Sequence, residues 1–249
     1  MKKVRFILCS LIGCLVFLCS CGLDQFYVLE APDNVINQPT IDSATYTAQT
    51  AFDNAYFEFV TSDHKNDELN GGDFKYMGTA VYYRIYNNYS TMETHKNAVD
   101  SIASSTNNSG AFSKIESYKY KELGYDNGSR SPLIPSASSD QTVKIRLTNY
   151  QDSPDYKARI EIDGTEICIP LRTGNKKSFD FGRKNASDEK DLPLSDDEDV
   201  EYSSSPSTEN IWYVCLYAVA VGRDNSFTSY YSNVLYLGSV AINDDEEDN

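Results

Sequence analysis

Six cysteines, two histidines and 37 acidic residues are the side chains of this 249-residue chain with the most chemistry to offer. His64 and His95 lie far apart in polar surroundings, so neither a histidine dyad nor a histidine-based metal site has a spacing to build on. Serine and aspartate are plentiful, but a Ser-His-Asp relay would have to recruit one of those two histidines. The chain carries no nucleophile elbow, no phosphate-binding glycine loop and no paired-cysteine zinc pattern. Acidic runs remain as calcium candidates. Asp196-Asp197-Glu198-Asp199 with Glu201, and Asp244 to Asp248, lack the alternate spacing that makes oxygens converge on one ion, and both read as solvated. Asp63, Asp67, Glu68 and Asp73 flank a Gly71-Gly72 turn and form a slightly better set. The expectation is a protein that is not an enzyme, with no catalytic residues, no cofactor and no metal.

The cysteines divide by position. Cys9, Cys14, Cys19 and Cys21 crowd the start, where Lys2, Lys3 and Arg5 accompany an apolar stretch from Phe6 to Leu18. That stretch is too short to cross a bilayer as a helix. It ends in Leu18-Cys19-Ser20-Cys21, with a small residue directly before a cysteine. This resembles a bacterial lipoprotein signal. The resemblance implies a leader over residues 1–20, recognition through Leu18 and Ser20, and acylation of Cys21. Leu11-Ile12-Gly13-Cys14 fits the same pattern after a shorter apolar run, so Cys14 is the alternative acceptor. Two or more acyl chains hold a protein firmly where one holds it marginally. The implied partner is therefore a lipid bilayer reached through acylated (palmitate-bearing) Cys21, and the implied place is the cell envelope, at the outer membrane. Cys21-Gly22-Leu23-Asp24, followed by Phe26-Tyr27 and Pro32, also resembles spirochaete lipoproteins, those of treponemes in particular, whose function is mostly unassigned.

Net charge is −15, and loss of the basic leader makes the body more acidic still. Nucleic acid is excluded as a partner, because phosphate binding needs clustered Lys and Arg. Docking on anionic lipid by charge alone is excluded for the same reason. Cys168 and Cys215 are the two cysteines of the body. In an exported protein they could form one disulfide; inside apolar strands they could equally serve as small hydrophobes. The 19 tyrosines read as half-buried strand positions, or as a recognition surface of rigid amphipathic rings.

The periodicity places these residues on β structure. After a polar tether over residues 21–39, which leads into an edge strand, Ala55 to Thr61 and Thr79 to Tyr86 read as strands, with Val81, Tyr83 and Ile85 on one face. Residues 62–73 and 128–140 read as loops. Thr94 to Ser105 and Ala111 to Leu123 carry helical spacing. Val143 to Leu147, Ala158 to Ile162 and Glu166 to Leu171 read as strands, the last two joined by a tight Asp163-Gly164-Thr165 turn. Ser178 to Gly182 is a further strand candidate, and Asp188 to Ser207 is an acidic, serine-rich loop. Trp212 to Val221 is a long alternating strand, turned by Gly222 to Ser226 and returned by Ser229 to Gly238.

That last hairpin resembles the final hairpin of a fibronectin type III module, with Trp212, Val214, Leu216 and Ala218 inward and Cys215 on the opposite face. Tyr83-Arg84-Ile85-Tyr86 resembles the central strand of that family, and Ala31-Pro32 with Asn34-Val35 its start. The implied fold is mainly β: an immunoglobulin or fibronectin type III-like sandwich over residues 40–243, enlarged by an insertion at about 91–207 with short helices and a further β-hairpin, then an acidic tail at 244–249. The expected function is a lipid-anchored, non-enzymatic binding or structural module at the outer membrane. An unknown protein partner would meet Arg223, Phe227, Tyr230 and Tyr231. The alternative is a periplasmic or surface lipoprotein that binds carbohydrate or another small ligand through a concave, tyrosine-lined pocket.

Overall fold

The computed structural model describes residues 27–105, 108–126, 131–149, 154–174, 176–184 and 189–245. Its frame is two long strands, β12 (Ile211–Asp224) and β13 (Ser229–Asn243), with β3 (Phe74–Tyr86) antiparallel along the other edge of β12. Side chains alternate across a strand. Val214, Leu216 and Ala218 of β12 therefore join Val81, Tyr83 and Ile85 of β3 on one face, while Tyr213, Cys215, Tyr217 and Val219 point the other way. Both faces are apolar, so this sheet is the middle layer of the molecule.

The first face packs on a five-stranded antiparallel sheet ordered β1 (Asn34–Asn37), β2 (Phe57–Val60), β7 (Thr142–Arg146), β8 (Arg159–Ile162) and β9 (Thr165–Cys168). Phe57, Phe59, Val143, Ile145 and Ile160 fill the space between the sheets. Each such side chain contributes about 1.5–3 kcal/mol through burial. The protein is thus mainly β, a sandwich with insertions. The neighbours β1-β2-β7 and β3-β12-β13 follow the ABE and CFG strand order of immunoglobulin-type sandwiches. The β8–β9 hairpin lies outside β7, and its Asp163-Gly164 turn takes positive φ at both residues. Such a turn matches the twist of its strands. Just past it, β10 (Pro170–Leu171) leaves that sheet and pairs with β5 (Gly124–Tyr125).

The second face of the middle sheet is covered by helices. Beyond a single turn, α1 (Asp63–Asp67), the chain forms α2 (Tyr89–Ala103) and α3 (Asn108–Ser117). Met92 and Val99, seven apart on α2, and Ala111, Phe112 and Ile115 on α3 pack against Tyr86, Cys215 and Tyr217. The Asn88 side chain accepts the Thr91 N–H at 2.9 Å and caps α2, so the helix starts ahead of the sequence expectation. The second helix ends early, because Lys119 takes a positive φ and Lys121–Glu122 (β4) pairs with β3 instead.

Three further expectations change. Phe179 and Phe181 are fully buried, yet Ser178 to Gly182 forms no strand: the Asp191 carboxylate accepts the Ser178 N–H at 2.9 Å in place of a strand partner. The loop 128–140 contributes β6 (Ile134–Pro135), which pairs with β3. β12 continues through Gly222 to Asp224, and the turn begins after it. Gly222 serves packing rather than turning, since a Cβ there would overlap the Phe74 ring.

Candidate functional site

Leu18, Ser20, Cys21 and the alternative Cys14 lie outside the described residues. Cys168 and Cys215 are not joined in a disulfide. Cys168 sits in the core between the sheets and Cys215 in the core beneath the helices, so the middle sheet separates them. The small-hydrophobe reading is the one that describes both.

Arg223, Phe227, Tyr230 and Tyr231 do not make one contact surface. Tyr231 stacks on Phe112 of α3 with centroids 3.8 Å apart. Tyr230 faces the other way, edge-on to Tyr27 and Phe74, and donates to Asp224 Oδ2 at 3.0 Å. Arg223 is exposed and borders a cavity of about 60 Å³ with Tyr82, Glu122 and Tyr231. A space of that size takes a water or two and no organic ligand. Phe227 stands at the tip of the hairpin, 78% exposed.

Several carboxylates of the acidic runs are structural. Arg172 is fully buried; its Nε and Nη2 donate to the two oxygens of Asp199 at 2.8 and 2.7 Å, and Nη2 also reaches Asp197 Oδ2 at 2.6 Å. Tyr83 donates to Asp199 Oδ2 at 2.7 Å. Burial alone would lower the Arg172 guanidinium, but the bonds and charge of Asp199 and Asp197 hold it above its usual value. Arg84 ties the next residues, donating to the Glu198 and Val200 carbonyls and to Glu201. Together these bonds hold β11 (Val200–Glu201) parallel to β3. In the run expected to be solvated, Asp197 and Asp199 therefore form a clasp, while Asp196 and Glu198 are exposed as expected. Asp63 is likewise buried and accepts from Tyr76 (2.5 Å), Thr61 (2.8 Å) and Gln141 (2.6 Å). Asp67 accepts from Asn70 and Asp73 from Asn225, so these carboxylates diverge. Among the described residues no cluster of acidic, histidine or cysteine side chains could hold a metal. Of the acidic tail, Asp244 accepts from Trp212 Nε1 at 2.8 Å, and residues 246–249 lie outside the described residues.

The tyrosines line no large pocket among the described residues. Tyr76, Tyr83, Tyr86, Tyr213 and Tyr217 are fully buried, and each phenol finds a partner. His64 pairs with Asp140 at 2.6 Å, and His95 stacks on Tyr118 at 3.8 Å.

A cavity of about 300 Å³ opens instead where β2 begins and β7 ends, at the start of β12 and the end of β13. Phe52, Phe181, Ile211 and Ile242 give it apolar walls, and Thr47, Asn149, Asp180 and Arg183 give it polar ones. Asp180 is oriented by Thr148 and by Asn149, whose backbone N–H donates at 2.6 Å and whose side-chain amide donates to the other oxygen. Apolar walls with a few fixed polar groups are the general form of a small-ligand site.

No family model, no curated protein and no solved structure matches this chain.

None of the cavity residues stood out in the sequence. They come from the segment before β2, the loop after β7, the turn after Phe179 and the ends of β12 and β13, which only the fold brings together. The one local signal was the aromatic pair Phe179 and Phe181 flanking Asp180.

Proposed function

We propose that this chain is a lipid-anchored binding module of the cell envelope, held through acylated Cys21 and presenting the 300 Å³ cavity to a small polar ligand of the carbohydrate class. What supports this reading is the direction of the chain. Tyr27 stacks on Phe74 at 4.2 Å, beside the β12–β13 turn. The cavity lies at the opposite ends of the same two strands, about 40 Å away at the usual rise per residue. A protein anchored just before Tyr27 holds that cavity away from its membrane. Within it, Phe52 and Phe181 offer apolar surface to a sugar ring, and Asp180, Asn149, Arg183 and Thr47 offer the acceptors and donors that hydroxyls need. An acidic surface keeps nucleic acid away.

Two measurements test the two halves separately. Growth of a bacterial host with labelled palmitate should label the wild-type protein and not Cys21→Ala, which should appear in the soluble fraction. Retained label in Cys21→Ala and its loss in Cys14→Ala would move the anchor to the alternative site. For the ligand, a panel of mono- and oligosaccharides titrated against the soluble domain should give one saturable binder. Arg183→Ala should weaken it about tenfold, the worth of one hydrogen bond to a charged group. Folded protein that binds nothing on the panel would refute the carbohydrate reading and leave the anchor standing. Protease shaving of intact and permeabilised cells then assigns the leaflet.

A further inference from the structure

We propose that the β12–β13 turn is a second membrane contact, with Phe227 resting in the interface of the bilayer that holds the acyl chains. The inference rests on the anchoring at Cys21. Six peptide units separate Cys21 from Tyr27, and they span at most about 20 Å when fully extended. Tyr27 is therefore confined to that distance from the lipid surface. Its ring is fixed on the turn: it stacks on Phe74 and meets Tyr230, Tyr230 donates to Asp224, and the Phe227 N–H donates to the Asp224 carbonyl at 3.0 Å. Leu29 is buried in the same cluster, so the chain cannot swing away at this point. Anchor and turn approach the membrane together.

The turn is built to hold an apolar side chain outward. Asp224 Oδ1 accepts the N–H groups of Ser226 and Thr228 at 2.9 and 2.8 Å, and Asn225 is tied to Asp73 by its backbone and by its side chain. Phe227 takes a positive φ, an unfavourable conformation for a bulky residue. The result is a phenyl ring more exposed than any other large hydrophobic side chain among the described residues, and Val28, between the packed Tyr27 and Leu29, is exposed too. A single ring cannot bring a soluble protein to lipid, but it can set the angle of one already tethered there. Asp73, Asp224, Asp67 and Glu68 lie on the neighbouring segments against Arg223 and Lys75. The contact is thus with uncharged interface rather than with anionic headgroups.

The lipidated protein, extracted and reconstituted into phosphatidylcholine vesicles with bromine near the headgroup end of the acyl chains, tests this. Trp212, the chain's single tryptophan, lies at the far end of β12 and serves as the built-in control. Wild-type emission should be unquenched, whereas Phe227→Trp should lose about half of its added emission, as a ring seated at the headgroup–acyl boundary would. Intact-mass measurement of the same sample reports the acyl chains on Cys21. If they are absent, the anchor reading and this contact fall together. Acylated Phe227→Trp protein whose added emission is unquenched, or whose Trp212 is quenched instead, overturns the contact alone. A blue shift of the added emission in the lipid-free double variant Cys21→Ala, Phe227→Trp, tracking self-association, would assign the turn to a second copy and also overturn it.

Discussion

Burial pushes the thiol of Cys215 up to about 12, against weaker lowering by Tyr120 and Ser239. At neutral pH it is a filler of the core beneath the helices rather than a nucleophile. Alkylation of the native protein near pH 8 should therefore spare Cys215, and denaturant without reductant should expose both Cys168 and Cys215 to the reagent. Failure of the pair to react until reductant is added would mean a disulfide and would contradict this packing. His95 offers a pH test. Burial against Tyr118 and Tyr86, with smaller help from Arg84 and Lys114, lowers its imidazole below the ordinary value; Glu201 opposes this. The unfolded chain then binds the proton more tightly than the folded one, so stability is complete above the unfolded pKa of about 6.5 and is lost as pH falls below it. The melting temperature should drop across this window, and His95→Gln should flatten the part of the slope that His95 causes. An unchanged slope in the variant would place the pH sensitivity elsewhere.

The clasp of Arg172, Asp197 and Asp199 is where one element depends most on one side chain. Arg172→Ala leaves Asp199 buried without its cation and should cost about 3–5 kcal/mol in denaturant unfolding. A loss near zero would show that water reaches the site. Gly78→Ala is the matching backbone test, because a Cβ there would overlap the Ile134 carbonyl and the residue has positive φ. It should free β6 from β3 and lower the melting temperature by several degrees. The strands from Thr79 to Tyr86 and from Trp212 to Val221 were legible in the sequence, because runs of apolar, β-branched and aromatic residues leave a local trace; that both faces of each are buried was not. The helices were legible in kind, while their ends depended on the Asn88 cap and the Lys119 backbone. What stayed hidden was long-range. Asp199 reads as one acid in a polar run until Arg172 is placed beside it, and Asp180, within a strand candidate, and Asn149, just past a strand, stay unrelated until the fold brings them to one cavity. No property of a residue's own neighbourhood encodes a partner that arrives from another part of the chain.

Across the molecule, the segment from Tyr27 to Ala55 runs the full height of the sandwich. It packs Leu29 at the turn end and adds β1 to the edge of the five-stranded sheet. It then crosses β13 at Gly238, where the Pro39 carbonyl accepts the Ser239 N–H, and reaches the cavity at Thr47 and Phe52. Removal of residues 27–33 should therefore do more than shorten a tether. It exposes Phe74, Tyr76 and Ala220, and it should lower the melting temperature of the soluble domain, measured against a version that begins at Tyr27. The clasp carries a consequence in time. Tyr83 and Asp199 are 116 positions apart, and β3 finds its other neighbour, β12, further along still. Closing loops of that length makes folding slow, and the middle sheet has no long partner strand until the last hairpin exists. In a chain made in this order the middle sheet cannot be completed before the last hairpin has emerged, so the residues made last are the ones that close both cores.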